Sequence, residues 1–198
     1  MEGRKTDRRI LRTRRMIDEA MMALLAEKTI NEISITALCE RADINRNTFY
    51  CHYNSPMDVM QHLEEEMTGK ISAALSASVY SGDATETVLA VLKEEKTLTT
   101  ILLSDHVGSG YIEKVFSLAD SHIHTIAARQ SSTLSPEYLA MLSDFSIAGG
   151  AAVVKRWVEN GMRERPEDIA KFIRILSRYG SNEMMNTPEP GFQSPAFP

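Results

Sequence analysis

Residues 34–53, SITALCERADINRNTFYCHY, constrain the fold more than any other stretch of this chain. Ser34 is placed as an N-cap, and Ile35, Leu38, Cys39 and Ala42 follow at i, i+3, i+4 and i+7, the spacing of one buried helical stripe. Cys39 thereby belongs to the core. Asp43, Ile44 and Asn45 make a turn, and Asn45 caps the next helix. On that helix Phe49 and Tyr53, four apart, share a face that turns inward, while Asn47, Thr48 and Cys51 point roughly the other way, flanked by Tyr50 and His52. Two short helices joined by a tight turn, the second polar on its outer face, fit a helix-turn-helix that lays a recognition helix in the major groove of DNA. The same pattern also suits a polar surface helix in a small bundle.

The periodicity on either side predicts an all-α chain with neither alternating strand pattern nor internal repeat. A first helix over residues 6–28 carries Ile10, Ile17, Ala20, Met21, Leu24 and Leu25 as one stripe. Ser55, Pro56 and Asp58 start a long fourth helix with a serine cap, a proline at the first helical position and an acid in the first turn. That helix is expected to reach residue 80 and to connect two domains. Further helices are predicted over 85–96, 98–104, 111–129, 135–161 and from Pro166 onward. The resulting division is a helix-turn-helix domain over 1–54, with a basic arm at 1–15, and a larger helical domain over 55–179. A tail over 180–198 holds four of the seven prolines and is expected to be disordered.

Charge is uneven along the chain. Residues 1–50 carry a net charge of +2 and the remainder −7, for a total of −5. Arg4, Lys5, Arg8, Arg9, Arg12, Arg14 and Arg15 face only Glu2 and Asp7 within the first fifteen residues. A basic end on an acidic body suits a protein that meets phosphates at one end, although a solvated terminus has the same composition. The two cysteines, Cys39 and Cys51, form no paired framework, and a reducing cytoplasm is the simplest expected compartment. No secretory signal pattern is visible. The longest apolar run, residues 147–154, is far short of the roughly 20 residues that cross a bilayer, so no membrane partner is expected.

Each candidate DNA contact has its own chemistry. Arg46 and Asn47 offer donors and acceptors to base edges, and Thr48 and Cys51 are small enough to pack on a thymine methyl. Tyr50 and His52 stand at the flanks, where phosphates pass. Thr36, in the first turn of its helix, offers a hydroxyl and a backbone N–H to a phosphate. The cap Asn45 is counted with this set.

Residues 13–60, TRRMIDEAMMALLAEKTINEISITALCERADINRNTFYCHYNSPMDVM, resemble the N-terminal domain of TetR/AcrR-type bacterial transcriptional regulators. The stretch LCERADINRNTFYCHY is similar to a subgroup related to the dihydroxyacetone-kinase regulator, and AGGAAVVKRWVENGMRERPEDIAKFI resembles that subgroup's C-terminal domain. The resemblance implies phosphate contacts by Arg14, Thr36, Tyr50 and His52, and base or groove contacts by Arg46, Asn47, Thr48 and Cys51. It implies that residues 55–179 are a ligand-binding and dimerisation domain, and that the chain is a homodimer paired through the last two helices, bound to an inverted-repeat operator in double-stranded DNA. Two positions depart from the pattern: the common turn glycine is Asp43, and the lysine usual at the start of the fourth helix is Pro56. Relatives in the subgroup include co-activators, so an adaptor that works through a partner protein is the alternative to a ligand-responsive repressor.

The mid-helix run from Ala148 to Ala152 contains Gly149 and Gly150, each costing about 1 kcal/mol relative to alanine. Close approach of two helices explains them, either within the chain or between two copies. The expected dimer residues are Gly149, Gly150, Val153, Trp157, Ile169, Phe172, Ile173 and Leu176, with Trp157 packed rather than offered to a ligand. A small-molecule effector has a candidate apolar pocket at Leu102, Tyr111, Phe116, His122 and Phe145, against the alternative of a filled core. His122 and His124 lie on different helix faces and His106 reads as a surface residue, so no metal and no cofactor are expected. No HExxH, P-loop, paired-cysteine motif or nucleophile elbow occurs, which argues against an enzyme.

Overall fold

A computed structural model describes residues 2–77, 84–104, 106–107, 110–115 and 136–186. No strand occurs among them. The elements are α1 (Glu2–Leu25), a 3-10 turn (Ile30–Glu32), α2 (Ile35–Arg41), α3 (Arg46–Tyr50), α4 (Pro56–Ala77), α5 (Ala84–Glu94), α6 (Lys96–Leu102), α7 (Pro136–Glu159) and α8 (Pro166–Asn186). No helix among the described residues is long and apolar enough to cross a membrane. The chain divides into two compact units, residues 1–73 with 94–111, and residues 74–93 with 112–198.

In the first unit the apolar stripe of α1 closes on the helix-turn-helix. Ile17, Met21 and Leu25 are buried against a core that includes Leu38 and Phe49, both 0% exposed. Along α4, Val59, Leu63, Met67 and Ile71 recur every four residues and are all buried. The start of α4 follows its sequence signals: Ser55 Oγ accepts from the Asp58 amide at 3.1 Å and donates to Asp58 Oδ1 at 2.8 Å. The Ser55 hydroxyl first, then the Asn54 side-chain and backbone N–H groups, donate to the Asp58 carboxyl and hold it below the ordinary carboxylate range. The unit extends beyond residue 54 because α6 packs on α1. His106 secures that contact. Its Nδ1 lies 2.8 Å from the Leu25 carbonyl, and its own carbonyl accepts from the Ile30 amide at 3.0 Å. The expected surface residue thus closes the C-terminal end of α1, where carbonyls lack helical partners.

In the second unit α7 packs on α8, with Val154, Trp157, Val158, Ala170 and Ile173 buried. At the end of α7, Gly161 has φ 80° and its amide donates to the Val158 carbonyl at 2.8 Å. The Met162 amide donates to the Trp157 carbonyl at 2.9 Å, completing a left-handed helix cap that a glycine adopts without steric cost. α8 continues to Asn186, past residue 180 where the composition predicts a disordered tail. Nothing between Gly180 and Asn186 is a proline; the first breaker is Pro188.

Candidate nucleic-acid interface

The helix-turn-helix is held by the caps that its sequence announces. Ser34 Oγ accepts from the Ala37 amide at 3.1 Å, and Asn45 Oδ1 accepts from the Thr48 amide at 2.8 Å. Between them the Ile44 amide donates to the Cys39 carbonyl at 3.0 Å, and Asp43 takes φ 52°. The turn therefore needs the left-handed conformation that glycine supplies most cheaply, and an aspartate adopts it here.

Phe49 is fully buried, and its ring packs edge-on against Tyr50 at 5.8 Å and tilted against Tyr53 at 6.2 Å. With that anchor inside, α3 turns its polar residues out. Asn45, Arg46, Asn47, Tyr50 and Cys51 are exposed, and Thr36, Thr48 and His52 are half-buried. Cys39 is buried and Cys51 exposed, as the helical spacing requires.

The structure joins some of these residues in pairs. Arg46 Nη2 donates to Thr36 Oγ1, so the first residue of α3 is tied to the first turn of α2. Arg14 of α1, exposed, lies with its guanidinium 5.9 Å from the centre of the Tyr53 ring. Its charge also reaches His52, whose pKa is lowered by burial first and by Arg14 second. Both effects favour the neutral imidazole, a donor and acceptor rather than a fixed cation. Arg8, Arg9, Arg12 and Arg15 are exposed on the same helix as Arg14, and Arg15 pairs with Glu19 at 2.9 Å.

Tyr53 has a partner that no sequence spacing signals. Its hydroxyl donates to Asp18 Oδ1 at 3.0 Å, linking the segment after α3 to α1. Asp18 in turn stands 3.9 Å from His62 Nε2 on α4. Burial, more than the Asp18 charge, pushes the Tyr53 hydroxyl above its ordinary range.

Three of the expected effector residues lie among the described residues. Leu102 is 0% exposed and Tyr111 is buried with its hydroxyl 3.4 Å from Thr68 Oγ1, whereas Phe145 is 73% exposed. Phe116 and His122 fall outside the described residues. The expected dimer residues also separate. Gly150, Trp157 and Ile173 are buried within their own chain, and Val153 and Ile169 are half-buried. Gly149, Phe172 and Leu176 are exposed. Trp157 is held by its indole N–H, which donates to the Glu164 carbonyl at 3.3 Å, and by Lys93 Nζ, 6.0 Å from the ring centre.

Residues 81–179 match a family model described as a transcriptional regulator C-terminal region. A curated relative, the uncharacterized HTH-type transcriptional regulator YxbF of Bacillus subtilis (strain 168), is 31% identical over 94 residues, 45% of this chain. The chain spans only 25% of that relative's length. Among solved structures, the dihydroxyacetone kinase operon activator DhaS is similar at TM-score 0.61 and 16% identity, over 88% of this chain and 98% of that one. A TetR transcriptional regulator from Streptococcus agalactiae 2603V is similar at TM-score 0.62 and 22% identity, over 88% and 98%. The fatty acid degradation regulator FadR from Bacillus halodurans is similar at TM-score 0.63 and 14% identity, over 83% and 94%.

Proposed function

Because this chain belongs to the TetR family of transcriptional regulators, we propose that it is a homodimeric, sequence-specific DNA-binding regulator, a repressor released by a small-molecule effector. The observation that carries the reading is the capped α2–α3 pair, with Asn45, Arg46, Asn47, Tyr50 and Cys51 exposed on α3 and its two caps and with Arg14 of α1 beside Tyr53. Caps fix the helix, the buried Phe49 fixes its rotation, and the remaining side chains are of the types that read base edges and phosphates. In this reading two recognition helices enter successive major grooves of an inverted repeat, about 34 Å apart. A DNA partner implies the cytoplasm as its compartment.

Titration of the chain against its own upstream region at several salt concentrations tests this reading. The logarithm of the affinity is expected to fall linearly with the logarithm of salt. Arg46→Ala is expected to cost about 1–3 kcal/mol of discrimination, and Tyr50→Phe to weaken binding uniformly. Binding that ignores DNA sequence, with both variants silent, overturns it.

Two observations favour a second reading, an adaptor of the same fold that works through a partner protein. Pro56 leaves no cation at the start of α4, and Arg46 is already engaged by Thr36. Co-purification with a second regulator, together with no shift of naked DNA, selects this reading over the first.

A further inference from the structure

Asp18 of α1 and His62 and Glu66 of α4 bring one imidazole nitrogen and two carboxylate oxygens within 4.8 Å of one another. His62 and Glu66 are four apart and so share a face of α4. We propose that these three residues form a binding site for a first-row divalent cation, which clamps α4 to α1.

The donors are oriented by neighbours rather than merely close. Tyr53 donates to Asp18 Oδ1, which leaves Oδ2 as the oxygen that faces His62 Nε2 at 3.9 Å. The Tyr53 ring also packs on the His62 imidazole at 5.8 Å. A hydrogen-bonded carboxylate beside a ring-supported imidazole is the kind of outer-shell arrangement that fixes metal ligands. Two donors bound to one ion at about 2.1 Å stand no more than about 4.2 Å apart, which Asp18 and His62 already satisfy. Glu66, exposed and on a flexible side chain, closes the remaining distance. Lys70 holds Glu66 Oε1 at 3.0 Å and also holds Glu95 at 2.7 Å, so it keeps a carboxylate when Glu66 turns to an ion. One nitrogen and two oxygens suit Zn²⁺, Co²⁺ or Mn²⁺, with water on the remaining positions.

The test is calorimetric titration of the untagged chain with Zn²⁺, and with Co²⁺ followed by its visible absorption, in a Cys51→Ser background that removes the exposed thiol. Binding of one ion per chain is expected, lost in His62→Ala and weakened in Glu66→Gln. Tyr53→Phe, which leaves all three ligands in place, is expected to lower the affinity by about tenfold. Circular dichroism of each variant confirms the helical fold. Absence of saturable binding, or binding that His62→Ala leaves unchanged, overturns the proposal. Because the readout is metal affinity, it is independent of whether the chain binds DNA.

Discussion

Asp43 shows what a single backbone conformation demands. Its φ of 52° places a side chain where Cβ crowds the following carbonyl, a cost of roughly 1–2 kcal/mol for most residues and less for aspartate. Asp43→Gly is therefore expected to raise stability by less than about 1–2 kcal/mol, read from the midpoint of urea unfolding. A midpoint that stays put or falls would mean that the aspartate side chain supplies a compensating bond. Asp18 raises a different question, one of protonation. Its carboxyl is half-buried and its pKa lies above the ordinary value, chiefly through desolvation. A raised folded pKa means that the folded chain holds the proton longer than the unfolded chain. Stability is then lost as pH rises from the ordinary aspartate value, about 3.9, through the raised folded value. Asp18→Asn keeps an acceptor for the Tyr53 hydroxyl and removes the titration. Its stability relative to the parent should therefore climb across that window and level off above it. Unfolding curves at a series of pH values, in the absence of divalent ions, check this; a difference that does not vary with pH refutes it.

The helix-turn-helix depends on elements too short to hold themselves. α3 runs only from Arg46 to Tyr50, and an isolated helix of that length has no stability in water. Its conformation comes from the Asn45 cap and from Phe49 in the core. Asn45→Ala is expected to cost about 1 kcal/mol of stability and to weaken DNA binding by more than that loss explains, since in the proposed function this helix presents the residues that meet base edges. Comparing the unfolding free energy with DNA affinity under conditions where the variant stays folded separates the two effects. Equal losses in both would assign the residue a purely structural role. The caps at Ser34, Asn45 and Ser55 were legible in the sequence, as was the burial of Phe49 and Tyr53, because each depends on neighbours three or four residues away. The ties between elements were not. Tyr53 meets Asp18 across 35 positions, and His106 meets Leu25 across 81. No local spacing announces such a pair, and only the packing of α1 on its neighbours creates it.

At the scale of the molecule, the periodicity of α7 and α8 marked apolar residues without saying which would be covered by their own chain. Trp157 and Ile173 are covered; Met141, Phe145, Phe172, Ile175 and Leu176 are between 43% and 73% exposed. Met141, Phe145 and Gly149 follow at intervals of four along one face of α7, and Phe172 and Leu176 do the same on α8. Large apolar side chains left in water on two packed helices favour burial against a second surface, and in the proposed homodimer that surface is the same pair of helices. Gly149 gives the sharpest test, because two effects of one substitution have opposite signs. A Cβ built there meets nothing within 4 Å in its own chain. Gly149→Ala is therefore expected to stabilise the monomer, by about 1 kcal/mol of helix propensity. If α7 meets its symmetry mate at Gly149, the same methyl group keeps the two helices apart and weakens the dimer. Sedimentation equilibrium gives the dimer constant, and unfolding at concentrations below it gives the monomer's stability. Opposite shifts in the two measurements place Gly149 at the interface, whereas a stabilised monomer with unchanged association removes it. Phe172→Glu, a charge set on the exposed face, is expected to yield monomer at all accessible concentrations. A dimer that survives Phe145→Glu and Phe172→Glu together would put the interface elsewhere on the chain.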